Sequence, residues 1–327
     1  MSIATAALSP DGKILITGSF EGYLIEWDVT SSAKRSVLLD PERLEDVNPE
    51  VVCIENGVEV EAPFQLVRMS ECMRESSILS VRFSPDGSMF AVGAANGAIV
   101  LWNMESRGEI LYWADHKDRI DALAFSPDNH WVAAGSLEDA VDSLRVWRLG
   151  GSMPFRSSEA FSDDSHVGGV SSLCFSPDNR ILAAGGFTMS GYTGPLLYEI
   201  KTGKRVGSFH YDMTRYLDYS PDGKLLATGD DFGTVTFWDV ESGKPLFKEK
   251  AHGRPVGAVL FSRDGRRLAT GSWDGSVNVW DVAARKTLAR YACNAIVLAI
   301  RFTDDGRSLI VAATAKDADQ PDILHFP

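Results

Sequence analysis

A chain of 327 residues with 44% hydrophobic residues is long enough for one large all-β architecture or two smaller domains, and apolar enough for a real core. Its formal net charge of −13 argues against nucleic acid or an anionic membrane as the main partner, because phosphate recognition needs clustered Lys and Arg. No apolar run approaches the ~20 residues of a membrane helix, and residues 1–10 lack the basic start and apolar stretch of a secretory signal.

Taken in order, the chain opens with three short β patterns near residues 3–8, 13–17 and 23–27. Residues 31–62 then form an acidic insertion, in which Val51 to Val60 reads as a hairpin around Asn56-Gly57 and residues 41–47 as a short helical turn. The outer strand of this first unit is predicted beyond the insertion, at residues 64–69. Later units are more regular, with inner strands of the type Ile78 to Phe83, third strands such as 99–101 and 277–279, and longer loops at 137–143, 150–168 and 187–194. The last unit spans 295–326. The cysteines, Cys53, Cys72, Cys174 and Cys293, make no Cys-x-x-Cys pair and read as reduced thiols, which fits a cytoplasmic protein.

One turn motif organises these elements. Ser9-Pro10-Asp11-Gly12 returns with first residues at Ser84, Ser126, Ser176, Ser220, Ser262 and Thr303, at steps of 75, 42, 50, 44, 42 and 41. The chemistry is consistent, with a hydroxyl first, Pro fixing φ in most copies, Asp third, and Gly or Asn for positive φ. About fifteen residues after each turn begins comes an aromatic landmark. The landmarks are Trp27-Asp28, Trp102-Asn103, Trp147-Arg148, Tyr198-Glu199, Trp238-Asp239 and Trp280-Asp281, with Phe326-Pro327 as a degenerate last copy.

This pattern strongly resembles the WD-repeat family over nearly the whole chain. The resemblance implies an all-β, seven-bladed β-propeller with four-stranded antiparallel blades, spanning 1–327 as a single domain with the 31–62 insertion in blade one. Blade seven lacks an evident outer strand. A three-stranded blade, an edge covered by the 51–60 hairpin, and a chain that is part of a longer protein remain open alternatives. The family's structural tetrad matches blade six at His252, Thr270, Asp274 and Trp280, a hydrogen-bonded chain tying three strands together. Other blades depart from it, with Glu21 and Asn96 at the Asp position, Phe232 beside Asp231 in blade five, and Ala134 and Ala184 at the Thr position.

A His-Asp-Thr catalytic reading of the tetrad competes with this structural one and is weaker, because the resemblance already explains the residues. The histidines lack metal-ligand spacing, no phosphate loop or nucleophile elbow is present, and the glycines are assigned to turns, so no cofactor, metal or catalytic residue is expected. By resemblance, loops between second and third strands and loops preceding inner strands share one rim. Phe20, Phe187, Phe232 and Trp273, with Arg119, Arg215 and Arg254, are therefore candidate anchors for a protein or peptide partner. Inward packing of the same aromatics is the competing reading. The expected function is a non-catalytic scaffold. The alternatives are an interaction or sensor module of a longer signalling protein and, less favoured, a propeller enzyme using Asp230, Asp231 or Glu21.

Overall fold

The computed structural model describes residues 2–39, 52–55, 58–60, 76–113, 116, 119–137, 143–150, 157–163, 169–186, 194–209, 214–303, 305–314 and 321–327. Every regular element among them is a strand, and the fold class is a seven-bladed β-propeller whose last blade has three strands. The chain divides into two compact units, Met1–Val170 and Ser171–Pro327.

The first unit holds blades one to three. Blade one runs Ile3–Leu8, Ile14–Ser19, Leu24–Asp28 and Ala33–Leu39 as neighbours. Its outer strand thus follows the third directly, which replaces the expectation of an outer strand at 64–69, a stretch outside the described residues, as are 41–47. The hairpin Val52–Glu55 and Val58–Val60 pairs parallel to Gly108–Trp113 and extends blade two to six strands. It therefore does not cover the edge of blade seven. Blade three contains Ala122–Phe125, Trp131–Gly135, Leu144–Leu149 and Ser157–Asp163.

The second unit holds most of blade four and blades five to seven. Blade five is Tyr216–Tyr219, Leu225–Gly229, Thr234–Asp239 and Lys244–Lys250; blade six is Val256–Phe261, Arg267–Ser272, Ser276–Asp281 and Lys286–Ala292. Blade seven is Val297–Phe302, Leu309–Thr314 and Pro321–Phe326.

The repeated turn is built alike in all seven copies. The Ser or Thr hydroxyl donates to the Asp carboxylate two residues on, at 2.5–2.7 Å. The same hydroxyl accepts the backbone N–H five residues on, for example Ile14, Arg267 and Ser308. The Asp accepts the N–H two residues further, as at Arg266 and Arg307. These bonds hold the carboxylates of Asp11, Asp86, Asp222, Asp264 and Asp305 below the usual carboxylate range.

Between blades the core is apolar and keyed by glycine. In six second strands a Gly faces a β-branched residue opening the next inner strand: Gly18 and Ile78, Gly93 and Ile120, Gly135 and Val170, Gly185 and Thr214, Gly229 and Val256, Gly271 and Val297. A Cβ at any of them would collide with that side chain. These glycines are packing sockets, so the assignment of the glycines to turns is corrected: a turn signal is local, and this requirement comes from another blade. Around each socket lie shared cores such as Ala227, Val235 and Phe237 of blade five with Val256, Leu268 and Trp280 of blade six.

Candidate functional site

The tetrad of blade six is a continuous hydrogen-bonded chain with one member more than expected. Trp280 Nε1–H donates to Thr270 Oγ1 at 3.1 Å, and Thr270 Oγ1 lies 2.8 Å from His252 Nε2. His252 Nδ1 is 2.8 Å from Ser276 Oγ, which donates to Asp274 Oδ1 at 2.6 Å. Asp274 also accepts the N–H of Gly253 and of Ser276. Because the Ser276 proton points to Asp274, His252 must donate from Nδ1 and accept from Thr270 at Nε2, which makes it a neutral imidazole. Burial drives the His252 pKa down to about 4, against the pull of Asp274. Ser276 is the residue that sequence reading missed; its signal was a hydroxyl two positions after the turn Asp.

His252, Thr270 and Trp280 are at most 3% exposed. Every polar atom in the chain has a structural partner, so the arrangement ties strands together. Among the described residues, blades one and five show the Trp-to-Thr bond of this chain, Trp27 to Thr17 and Trp238 to Thr228. In blade three, with Ala134 at the Thr position, Trp147 Nε1 finds no acceptor among the described residues and packs against Trp113 and His116 instead.

The exposed chemistry of the second unit gathers where the 230–233 turn of blade five meets the 251–256 loop ahead of blade six. Asp230 caps its own turn by accepting the N–H of Phe232 and Thr234, as Ser19 Oγ does for Glu21 and Tyr23 in blade one. Backbone bonds from Ala251 and His252 to Gly233 O, and from Val256 to Asp230 O, dock the two loops. Gly233 is required here, with φ of 83° and a would-be Cβ against the carbonyls of His252 and Arg254. Phe232 is thereby left 59% exposed, and Arg254 is exposed beside the same turn.

Arg215 and Trp273 form the rigid part. The Arg215 guanidinium lies 4.4 Å from the centre of the Trp273 ring, and its Nη1 bonds Asp231 Oδ1 at 2.7 Å. Trp273 also rests on Gly257, where a Cβ would come 3.0 Å from its Cδ1. The indole is thus half-buried between a glycine and a stacked Arg, an arrangement that sets a cation over an aromatic face.

In the first unit, Phe20 is 54% exposed and anchored through its backbone, with its N–H to Ser2 O and its carbonyl accepting from Ser77 Oγ. Arg119 is half-buried and paired with Asp121, whose carboxylate also accepts the N–H of Leu137. Phe187 lies outside the described residues. The carboxylates considered for an enzyme are engaged locally: Glu21 with Ser2 N–H, Asp230 with its turn and Asp231 with Arg215. No cluster of three metal-binding side chains occurs among the described residues. No helix among them is long and apolar enough to cross a membrane.

One further carboxyl stands out. Asp218, on the inner strand of blade five, accepts the Phe261 N–H of blade six at 2.7 Å, and burial pushes its pKa up to about 7. Its neighbour Cys174 is raised well above the ordinary thiol range by burial and then by that carboxylate. Cys174 and Cys293 are free.

Comparison with known proteins agrees with this geometry. A family model described as WD domain, G-beta repeat, matches residues 1–28, 68–103, 109–141, 159–190, 204–239 and 243–281. Periodic tryptophan protein 2 of Arabidopsis thaliana is 30% identical over 183 residues, which is 55% of this chain and 19% of that relative. The chain therefore spans about a fifth of the length of the relative it matches. With repeat matches over more than half of the chain, a seven-bladed fold and the hydroxyl-x-Asp turn, Ser or Thr first, in every blade, this chain belongs to the WD40 repeat family.

Proposed function

We propose that this protein is a non-catalytic scaffold that holds a protein or peptide partner on its loop rim. WD40 propellers are commonly interaction scaffolds. The observation that carries the reading here is Phe232, a large aromatic 59% exposed on a turn fixed by Asp230, beside Arg254 and the Arg215–Trp273 stack. A rigid aromatic with adjacent Arg is the composition of interface hot spots. Phe20, on the equivalent turn of blade one, offers the same kind of anchor. Arg119, held by Asp121, acts as a positioned cation, and Phe187 is carried as a candidate from the repeat alone. The role of the blade-six tetrad is structural. The free thiols of Cys174 and Cys293 support a cytoplasmic setting.

The test is affinity capture from native lysate with wild type, Phe232→Asp and the Phe20→Ala, Trp273→Ala double variant. The expected result is loss of specific partners with unchanged thermal unfolding. Capture that survives all these changes, or loss of the fold with them, overturns the reading.

A further inference from the structure

On the rim where blades five and six meet, carboxylates turn inward and cations reach outward. Asp230 is 6% exposed and caps its own turn, and Asp231 is paired with Arg215. Asp274 accepts the Gly253 N–H together with the N–H and hydroxyl of Ser276. Lys250, by contrast, is exposed and pairs across the strands with Thr234, two residues from Phe232. Arg254 is exposed beside Gly233, on the loop whose backbone docks the Phe232 turn. Arg290 keeps 60% of its side chain exposed, with Nη2 3.8 Å from Asp274 Oδ2. Among the described residues, no carboxylate pairs with Lys250 or Arg254. Glu249 is exposed on the same strand, between Lys248 and Lys250 in sequence. The surroundings of Phe232 therefore present positive charge, although the chain as a whole carries −13. At physiological salt a docked group feels mainly the charges within about 8 Å, so the local sign decides.

We infer that the segment held at this rim is acidic, with an apolar side chain packed on Phe232 and neighbouring Asp or Glu carboxylates on Arg254, Lys250 and Arg290. The inference rests on the scaffold reading above and adds the chemistry of the partner. An exposed aromatic on a turn with a fixed backbone offers an apolar anchor at little ordering cost. Cations whose local carboxylates are already bonded gain their counter-charge from outside, and an Arg–carboxylate contact is charge-assisted, about twice as strong as a neutral hydrogen bond. A basic segment would meet like charge at all three cations, which selects against it. Asp230 and Asp274 do not offset this, because their oxygens are turned to backbone N–H groups of the loops.

The full chain is panned against a phage-displayed library of random peptides, and the strongest binder is synthesised and titrated by fluorescence anisotropy. The expected consensus sets Leu, Phe or Trp among Asp and Glu. Arg254→Glu and Lys250→Glu, both at exposed positions, should each weaken that peptide about tenfold, and Phe232→Asp should abolish binding, with melting temperatures unchanged. Rising salt should weaken binding to wild type and have less effect in the charge variants. A neutral or basic consensus, or an acidic peptide that binds both charge variants as tightly as wild type, overturns the inference and leaves the scaffold reading standing. Failure to enrich any peptide, or binding that Phe232→Asp leaves unchanged, overturns both. Self-association by sedimentation that Phe232→Asp dissolves also overturns the inference, because a second copy would then hold the rim.

Discussion

Blades six and seven share a register and a turn but are held together differently. Both open with a hydroxyl–Asp turn and both bury the second strand, Arg267–Ser272 and Leu309–Thr314. Blade six then adds a polar chain from Trp280 to Asp274 and a fourth strand. Blade seven has Val311 where Thr270 stands and Leu324 where Asn278 stands, and no fourth strand is described. The turn and the buried second strand therefore define a blade, while the polar chain and outer cover are additions. A fully satisfied buried network fixes geometry, and an apolar substitute packs without fixing it.

The largest test acts on what the two blades share. Gly271→Val drives a side chain into Val297 and Ile300 and is expected to cost about 3 kcal/mol in urea unfolding by overpacking the junction between blades six and seven. A variant as stable as wild type would show that the socket is slack. Next, Asp274→Ala strips acceptors from Gly253 N–H and from Ser276, and about 2 kcal/mol should be lost. An effect near zero would make the polar chain ornamental and blade six no better held than blade seven.

The pH response sharpens the same contrast. With a folded pKa of about 4 below the ordinary 6.5, His252 resists protonation in the native state. The unfolded chain binds more protons between those values, so this contribution to stability is present above pH 6.5 and lost as pH falls toward 4. The acid limb of wild type should be steeper by about 1–2 kcal/mol than that of His252→Gln, and identical limbs would remove the network from the account.

The smallest effect runs the other way. Asp218 has a folded pKa raised to about 7, so the native state holds its proton and stability falls as pH rises from about 4 through 7. Asp218→Asn cannot ionise, retains an acceptor for Phe261 N–H, and should gain about 1 kcal/mol over wild type at pH 8 with no gain at pH 4. In blade six the equivalent residue is Leu260, so the inner strand of blade seven receives no such carboxylate bond. A gain at both pH values would point to packing rather than ionisation.

What the sequence made legible was local. Ser-Pro-Asp-Gly is a turn because its hydroxyl, carboxylate and Gly act within six residues, and all seven copies fold as read. The tetrad residues were legible through the family resemblance, but Ser276 was not, because only the geometry shows that Asp274 reaches His252 through a hydroxyl. Outer strands were harder, since a sequence such as Ala33–Leu39 is mostly exposed and carries little apolar alternation. The parallel pairing of Val52–Glu55 with blade two is set by another strand far along the chain. At the rim, sequence reading grouped Phe232 and Trp273 as equals. Arg215 and Gly257 enclose the second and leave the first in water.

The glycine sockets carry a temporal consequence. Each socket belongs to one blade and its plug to the next blade downstream. A chain leaving the ribosome therefore completes each of these six blades only when the first strand of its successor has followed. At each moment of synthesis the nascent array has a single vacancy at its growing end, waiting for one β-branched side chain. Nearest-neighbour arrays of this kind accumulate stability step by step, so the order of the blades in the gene is also the order in which they are sealed.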